Sequence, residues 1–476
     1  MADTQLHELT AEQAVSLLRV GAVSPTELVN AAALRMEAVD GALNALPTRC
    51  VERALERARR IEREGRAGHD SRWLAGLPVA IKDLNPVAGV RTSYGSRIYA
   101  EHVPERSDLL VERLEANGAI VIAKSNTPEF AAGASTFNEV FGSTRNPWNT
   151  AKSVAGSSGG SAAALASGQV WLAHGSDLGG SLRTPASFNG VVGLRPGPGR
   201  VARGLQRWPF DTVASDILFV EGPMARTARD CAMMLDAMCG EHREDPLALP
   251  APATTFLSAL AAAPLPRRIA FSPDLGIVPV DPEVAALCEA AARQFADPGI
   301  TVETACPDFS EAIDCFQALR AHLFAADHAR HLREHRALLK PDVVWNIEKG
   351  LALTGAELAA AEAARLRIMR NMLEFFDRYD LLLCPTAIVS PFDVDVRCVE
   401  EVAGQRFDNY VHWLAITFAI TLTACPALSA PAALNAAGMP VGLQIVGPPR
   451  AEAQVLAAAH RLDEATGFSK RLPVTP

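Results

Sequence analysis

Two segments rich in glycine and serine constrain the fold of this chain most strongly, because each of them adjoins a regular element. They are residues 156–161, Gly-Ser-Ser-Gly-Gly-Ser, and residues 175–183, Gly-Ser-Asp-Leu-Gly-Gly-Ser-Leu-Arg. Such segments are most often flexible linkers, but here an alanine-rich helix follows at 162–166 and a predicted strand precedes at 169–174. The glycines of the second segment let the backbone take positive φ values and aim neighbouring N–H groups at one point. We therefore expect sharp turns bounded by apolar elements.

The elements before these segments predict the fold class. Residues 77–83 form a short apolar run that ends in charge, a helix capped by Ser107 follows, and residues 119–124 form another apolar run. Strand, helix and strand in this order favour an α/β fold. Later runs that we assign to the same sheet lie at 380–385 and 440–447. We expect a central mixed, mostly parallel sheet covered by helices.

The N-terminal part is predicted to be helical. Thr10 with Gln13, and Ser24 with Glu27, match the capping box that opens a helix, and each precedes an apolar-periodic run. Residues 53–65 carry arginine and glutamate at helical spacing, which indicates a helix with a solvated face.

Composition excludes several classes of protein. The chain has 476 residues, of which 49% are hydrophobic and 21% charged, and these values argue against disorder. A formal charge of -9 disfavours nucleic acid as a partner. The nine cysteines are scattered, and no basic and apolar leader is visible at the start. We therefore expect reduced thiols and a cytoplasmic location.

One uncharged stretch, residues 411–437, has the length of a membrane span. Pro426, Pro431 and His412 interrupt it. These interruptions favour a buried helix that runs into a core strand, so we expect no membrane partner.

Ser181 and Lys82 are the candidate chemical groups. Ser181 directly follows Gly179 and Gly180, so its hydroxyl would stand at the end of a row of N–H donors, as a nucleophile beside an oxyanion hole does. Lys82 ends the apolar run 77–82. A lysine there is usually a solvated charge, and it can act as a base near neutral pH only when it is removed from water. A buried amine beside hydroxyls could support amide hydrolysis without histidine.

Two competing interpretations are weaker. Residues 156–160 match G-x-S-x-G, which would make Ser158 the elbow nucleophile of an α/β-hydrolase, but the preceding residues 146–152 are polar and turn-like rather than a buried strand. Metal catalysis is disfavoured because the chain has no H-E-x-x-H motif and its eleven histidines show no ligand spacing. His331 and His335, one helical turn apart, are assigned to a surface helix.

Taken together, these segments resemble the amidase signature family, whose members hydrolyse amides with a Ser/cis-Ser/Lys triad. The resemblance covers nearly the whole chain and is densest from 75 to 230. Its matching stretches are 76–83, 124–129, 142–148, 156–161, 175–183, 185–186, 190–196, 221–226 and 440–444. One departure is that the family's frequent Gly-x-Lys-Pro-Thr appears at 193–197 as Gly-Leu-Arg-Pro-Gly, which we expect to affect packing more than chemistry.

The resemblance implies a role for each candidate. It implies Ser181 as the nucleophile, Ser157 as the bridging serine on a non-proline cis peptide, and Lys82 as the terminal base and acid. The oxyanion would be held by the N–H groups of Leu178, Gly179, Gly180 and Ser181. Supporting residues would be Ser158, Asp177 and Arg183, with Asp83 as a further candidate for orienting the network, although each charged one could equally form a structural ion pair.

Length alone favours two or three domains, but the resemblance implies one large α/β/α domain over 1–476. Within it we predict N-terminal helices at 1–70 and a catalytic core at 71–240. A variable region at 241–380 would form a wall for the substrate, and core strands and helices would follow at 381–476.

The activity implied by the resemblance is hydrolysis of small aryl or alkyl carboxamides, with carbamates (urethanes) as further substrates. The predicted pocket residues are Tyr94, Phe130, Ala131, Gly133 and Trp208, and the other aromatic candidates are Phe137, Phe210 and Trp413. No cofactor and no metal is implied, and a monomer or homodimer acting on a small-molecule amide is expected. Two alternatives stay open: a protein like the glutamine-hydrolysing chain of an amidotransferase, which works with a partner chain, and a non-catalytic binding protein on the same fold.

Overall fold

The structure is a computed structural model, and it describes residues 3–65, 70–204, 206–207, 210–213 and 217–476. Trp208, a predicted pocket residue, lies outside the described residues, as does the side chain of Phe210.

Helices flank a central sheet along the whole described chain. In chain order they are α1 Ala11–Val20, α2 Pro25–Leu43, α3 Val51–Glu64, α4 Leu109–Ala116, α5 Gly159–Ala166, α6 Arg183–Asn189, α7 Ala228–Met238, α8 Phe256–Ala262, α9 Pro282–Arg293, α10 Ala312–His335, α11 Pro341–Ala352, α12 Gly355–Phe376, α13 Ala415–Leu422 and α14 Glu452–Thr466.

Eleven strands form the sheet. In chain order they are β1 Thr48–Arg49, β2 Pro78–Lys82, β3 Ile120–Ser125, β4 Leu172–Asp177, β5 Val192–Arg195, β6 Val220–Ala225, β7 Arg268–Phe271, β8 Thr301–Thr304, β9 Leu381–Pro385, β10 Ala427–Leu434 and β11 Pro440–Val446. Across the sheet the order is β1-β3-β2-β4-β6-β5-β10-β11-β9-β7-β8.

The sheet is mixed and covered by helices, which confirms the predicted α/β class. Strands β3, β2 and β4 pair in parallel on one side, and β9, β7 and β8 do so on the other. The strands between β4 and β9, and the edge strand β1, pair antiparallel, so parallel pairs are fewer than expected. One reason is the short connection 435–439 between β10 and β11, because parallel neighbours need a crossover of about a dozen residues or more.

Local signals fix where the first helices begin. The Thr10 and Ser24 hydroxyls accept hydrogen bonds from the N–H groups of Gln13 and Glu27, and the Gln13 and Glu27 side chains return the bond to the capping residue. Both predicted capping boxes are therefore confirmed. Since these bonds span only three residues, they form independently of the rest of the fold.

Two predicted boundaries were wrong by a few residues. Helix α4 is capped by the carboxylate of Asp108, which accepts from the Leu110 N–H, whereas the Ser107 hydroxyl accepts from the Ala88 N–H. Strand β4 runs over 172–177 instead of 169–174, so Ser176 and Asp177 belong to a strand rather than to a loop.

The uncharged stretch 411–437 is core, as predicted. It forms α13 and β10, and Trp413 is buried at its start. None of the helices in the described ranges is long and apolar enough to cross a bilayer.

Candidate active site

The candidate site lies where β2 and β4 end. The two strands are parallel neighbours, with Val79 opposite Leu172 and Ala80 opposite Ala173. Their carboxyl ends therefore meet at one edge of the sheet, where α/β proteins commonly bind ligands. Lys82 ends β2 and Asp177 ends β4, and both side chains are fully buried.

Lys82 is surrounded by hydroxyl groups. Its Nζ lies 2.7 Å from Ser157 Oγ, 3.0 Å from Ser158 Oγ and 2.9 Å from Ser176 Oγ. The peptide bond between Gly156 and Ser157 is cis. The sequence therefore brings the lysine and the first serine segment together, and it adds Ser176, to which sequence reasoning gave no role.

The neighbouring carboxylate, Asp83, is engaged elsewhere. It forms an ion pair of 2.9 Å with the buried Lys124 and accepts hydrogen bonds from the N–H and hydroxyl of Ser93. Asp83 is therefore placed as a structural ion pair, which was the second of its two sequence interpretations.

Ser181 lies on the cavity side of this cluster. Ser157 and Ser181 line the same cavity, and the Ser158 N–H donates to the Ser181 carbonyl at 3.2 Å, which ties the two serine segments together. The Ser181 hydroxyl makes no hydrogen bond to any described residue, and its side chain is partly exposed. The hydroxyl that faces the cavity is thus separated from Lys82 by Ser157.

Asp177 holds the loop that precedes Ser181. Its carboxylate accepts hydrogen bonds from the N–H groups of Gly180, at 3.0 Å, and Leu182, at 3.1 Å. The Gly180 amide is therefore occupied, which corrects its place among the four expected oxyanion donors. The N–H groups of Leu178, Gly179 and Ser181 have no acceptor among the described residues.

Gly180 is the one residue of this loop that needs a glycine conformation. Its φ is +123°, and a Cβ there would lie 2.4 Å from Thr417 Oγ1. Gly175 and Gly179 do not take positive φ, contrary to expectation. Glycine at 175 instead permits close packing, because a Cβ would lie 2.8 Å from Ser158 Oγ.

Two arginines neutralise Asp177 beneath the loop. Arg183 contacts the carboxylate through Nε at 3.0 Å and Nη2 at 2.9 Å, and Arg195 Nη1 donates to the Asp177 carbonyl at 2.7 Å. Burial raises the pKa of Asp177, but the Arg183 and Arg195 charges outweigh it and hold the pKa well below its usual range. Arg195, the departure from the family pattern, thus supports the loop from below.

The cavity beside Ser181 has a volume of about 100 Å³. Of the predicted pocket residues, Phe130, Ala131 and Gly133 line it. Tyr94 does not; it is fully buried behind the wall, and its carbonyl accepts the Phe130 N–H at 2.8 Å.

One face of α10 forms the opposite wall, and sequence reasoning named none of its residues. The spacing of three and four residues could have indicated this face. The lining residues from α10 are Phe316, Arg320, Leu323, Phe324, Asp327 and His328.

No group of three or more histidine, cysteine or acidic side chains suited to a metal is present in the described part of the chain. Nothing in the site calls for a cofactor, since the clustered groups are hydroxyls, an amine and backbone amides.

The sequence matches the family model described as Amidase over residues 27–456. This match, together with the fold, makes the protein an enzyme of the class that hydrolyses carbon–nitrogen bonds. The chain belongs to the amidase signature family, as its motifs predicted.

Relatives of the chain carry more than one name. The A-type chain of the glutamyl-tRNA(Gln) amidotransferase of Moorella thermoacetica is 34% identical, over 98% of this chain and 99% of the relative. The acylamidase of Rhodococcus erythropolis is 31% identical, over 99% of this chain and 98% of the relative. The solved structure of a bacterial aryl acylamidase of the amidase signature family is similar with a TM-score of 0.89 and 28% identity, over 99% of each chain.

Proposed function

We propose that this protein is an amidase that hydrolyses small aryl or alkyl carboxamides, and carbamates of similar size, through an acyl-enzyme on Ser181. The observation that carries the proposal is the contact of 2.7 Å between the buried Lys82 amine and the Ser157 hydroxyl, beside a cavity that Ser181 also lines. A buried amine surrounded by hydroxyls is favoured as a neutral base.

Acylation begins when the Ser181 oxygen forms a bond to the amide carbonyl carbon. Its proton passes to Ser157, and the Ser157 proton passes to the neutral Lys82 amine. When the carbon–nitrogen bond breaks, the same relay returns a proton to the leaving amine. Substrate binding must bring the Ser157 and Ser181 hydroxyls into hydrogen-bond contact, as catalytic contacts often tighten only in the complex.

Deacylation uses the same groups in the opposite sense. Water gives a proton to the relay and attacks the ester carbon on Ser181, and the serine oxygen leaves with a proton from Ser157. No second base is needed, because Lys82 alternates between the neutral and charged states.

The oxyanion of each tetrahedral intermediate would be held by the N–H groups of Leu178, Gly179 and Ser181. These amides are preorganised, since Asp177 fixes the loop and the Thr417 hydroxyl donates to the Gly179 carbonyl at 2.6 Å. Preorganised donors act where charge develops and need no reorientation during reaction.

The test is hydrolysis of acetanilides, aliphatic amides and aryl carbamates by the purified protein and by Ser181→Ala. We expect turnover by the wild type and a loss of at least about 1,000-fold in Ser181→Ala. A serine-directed phosphonate should label Ser181 and leave Ser158 unmodified, as peptide mapping by mass spectrometry would report. Hydrolysis that persists in Ser181→Ala would refute the proposed nucleophile.

A second candidate is favoured by the 34% identity to one chain of a glutamyl-tRNA(Gln) amidotransferase. On that candidate the same relay would hydrolyse glutamine for a partner chain. It predicts negligible turnover of anilides and a glutaminase activity that rises only when a partner protein is added, so the substrate screen separates the two candidates.

A further inference from the structure

The cavity beside Ser181 contains a buried guanidinium group, that of Arg320. Arg320 lines the cavity, and only 6% of its surface is exposed. Arginine is seldom buried without an acidic partner, because removing a full charge from water is costly. A buried arginine at a substrate cavity therefore needs a physical account.

The partners of Arg320 are neutral. Its guanidinium donates to the Asn346 side-chain oxygen and, at 2.8 Å, to the Tyr410 hydroxyl, and it lies over the Phe324 ring at 4.5 Å. Within the described ranges, no carboxylate lies within 4.0 Å of it. Since a guanidinium has five N–H donors in a planar fork, these contacts leave donors for a further acceptor.

The charges that face the cavity have a positive balance. Arg203, Arg320 and Asp327 all line it, and so does His328. Burial, and then the neighbouring His331, lower the pKa of His328 well below its ordinary value, so this ring is neutral. Arg203 Nη1 donates to the Phe219 carbonyl at 2.6 Å. Two guanidinium groups against one carboxylate favour an anionic ligand.

Asp327 cannot neutralise Arg320 directly. The two residues are seven positions apart on α10, which corresponds to a rise of about 10 Å along the helix. The apolar side chains of Leu323 and Phe324 line the cavity between them in sequence. The wall thus has a cationic end and an acidic end separated by an apolar surface.

We propose that Arg320 binds a carboxylate carried by the substrate, so that the preferred substrates are small amides with an anionic group on the acyl or the amine half. The proposal rests on the proposed amidase function and adds a substrate class to it. A planar guanidinium pairs with a carboxylate through two parallel hydrogen bonds, which lysine cannot reproduce.

The test compares substrates that differ only in this charge. Glutaramate, with a carboxylate on the acyl half, is matched with the amide in which an isopropyl group replaces the carboxylate. Para-acetamidobenzoate, with a carboxylate on the amine half, is matched with para-isopropylacetanilide. In the wild type we expect kcat/KM to favour the anionic member of one pair by about 10- to 100-fold, and that pair identifies the half that carries the charge.

Variants then assign the preference to one residue. Arg320→Gln should raise KM for the anionic substrate by about 10- to 100-fold and leave kcat/KM for its neutral partner within about threefold. Arg320→Lys, which keeps the charge and loses the fork, should be intermediate. Arg333→Gln removes an exposed arginine from the same helix and serves as the matched control, with no change for either substrate.

The possible failures are distinguishable. Equal kcat/KM within both pairs in the wild type would overturn the Arg320 proposal and leave the amidase intact. Equal losses for anionic and neutral substrates in Arg320→Gln would also overturn it, by assigning Arg320 a structural role through Asn346 and Tyr410. Failure of the wild type to hydrolyse any of the four amides would instead refute the proposed amidase, and the substrate comparison requires no variant to fold.

Discussion

Lys82 and Lys124 are both fully buried, and they end up on neighbouring parallel strands, with Lys124 paired in register with Ile81 and Lys82 with Ser125. Their surroundings differ. Lys124 has a carboxylate, Asp83, at 2.9 Å and the Thr92 hydroxyl at 2.9 Å. Lys82 has three serine hydroxyls within 3.0 Å.

The comparison teaches how one fold uses the same residue type in two ways. Burial lowers the pKa of Lys124, but Asp83 opposes this shift and favours the charged form. The hydroxyls around Lys82 can donate to a neutral amine as well as accept from an ammonium. We infer that Lys124 stabilises the fold as a cation, whereas Lys82 can exchange a proton.

The largest expected effect is on the rate, at Lys82. Lys82→Met keeps the side chain long and apolar but removes the amine, so kcat should fall by at least about 10,000-fold. Unfolding by urea should change little, because no buried charge loses its partner. Lys82→Arg is the sharper control: it retains a positive charge that cannot be given up, and it should be inactive as well. An active Lys82→Arg enzyme would contradict the role of a base.

The second effect is on stability, at Lys124. Lys124→Met leaves the Asp83 carboxylate buried and unpaired, so the free energy of unfolding should fall by about 3–5 kcal/mol. The protein that remains folded should keep its kcat. Adding Asp83→Asn should restore part of the loss, and a urea double-mutant cycle measures this coupling. A large loss of kcat without loss of stability would remove the distinction between the two lysines.

Asp177 extends the comparison to a carboxylate that two arginines neutralise. Asp177→Asn should lower the free energy of unfolding by about 2–3 kcal/mol near neutral pH. Because the pKa of Asp177 is lower in the folded than in the unfolded chain, its charge stabilises the fold above about pH 4, and the contribution is lost as the pH falls further. Urea unfolding at decreasing pH should therefore show wild type and variant converging in acid; a constant difference would contradict the ion-pair assignment.

The smallest effects come from single hydroxyls. Ser176→Ala removes one of the groups around Lys82 and should lower kcat about tenfold, which corresponds to roughly 1 kcal/mol. Thr92→Val removes the matching hydroxyl from Lys124 and should lower stability by about 1 kcal/mol while kcat stays unchanged. Steady-state kinetics and urea unfolding of both variants check this exchange of effects, and a rate loss in Thr92→Val would contradict it.

The parts of the fold that were predictable depend on short-range chemistry. The capping boxes at Thr10 and Ser24 require contacts over three residues, and the position of Lys82 at a strand end follows from one apolar run. The order of Ser181 after two glycines could likewise be read directly, although the catalytic roles of Ser157 and Ser181 stay predictions.

The parts that were missed depend on partners far along the chain. Ser176 was not given a role because β4 was expected to end at residue 174, and only the register with β2 brings Ser176 to Lys82. Thr417 reaches Gly179 from a helix more than two hundred positions away. The occupied Gly180 amide was missed because the local pattern does not show which N–H groups Asp177 will take.

The separation of the cavity into two sources has a consequence for how such an enzyme could acquire new substrates. The reacting groups come from the segment 82–181, whereas the opposite wall is a single helical face between residues 316 and 328. Replacing residues along that one stripe would retune which molecules are accepted while the proton-transfer apparatus stays untouched. Laboratory libraries confined to this stripe would therefore sample selectivity at little risk to turnover.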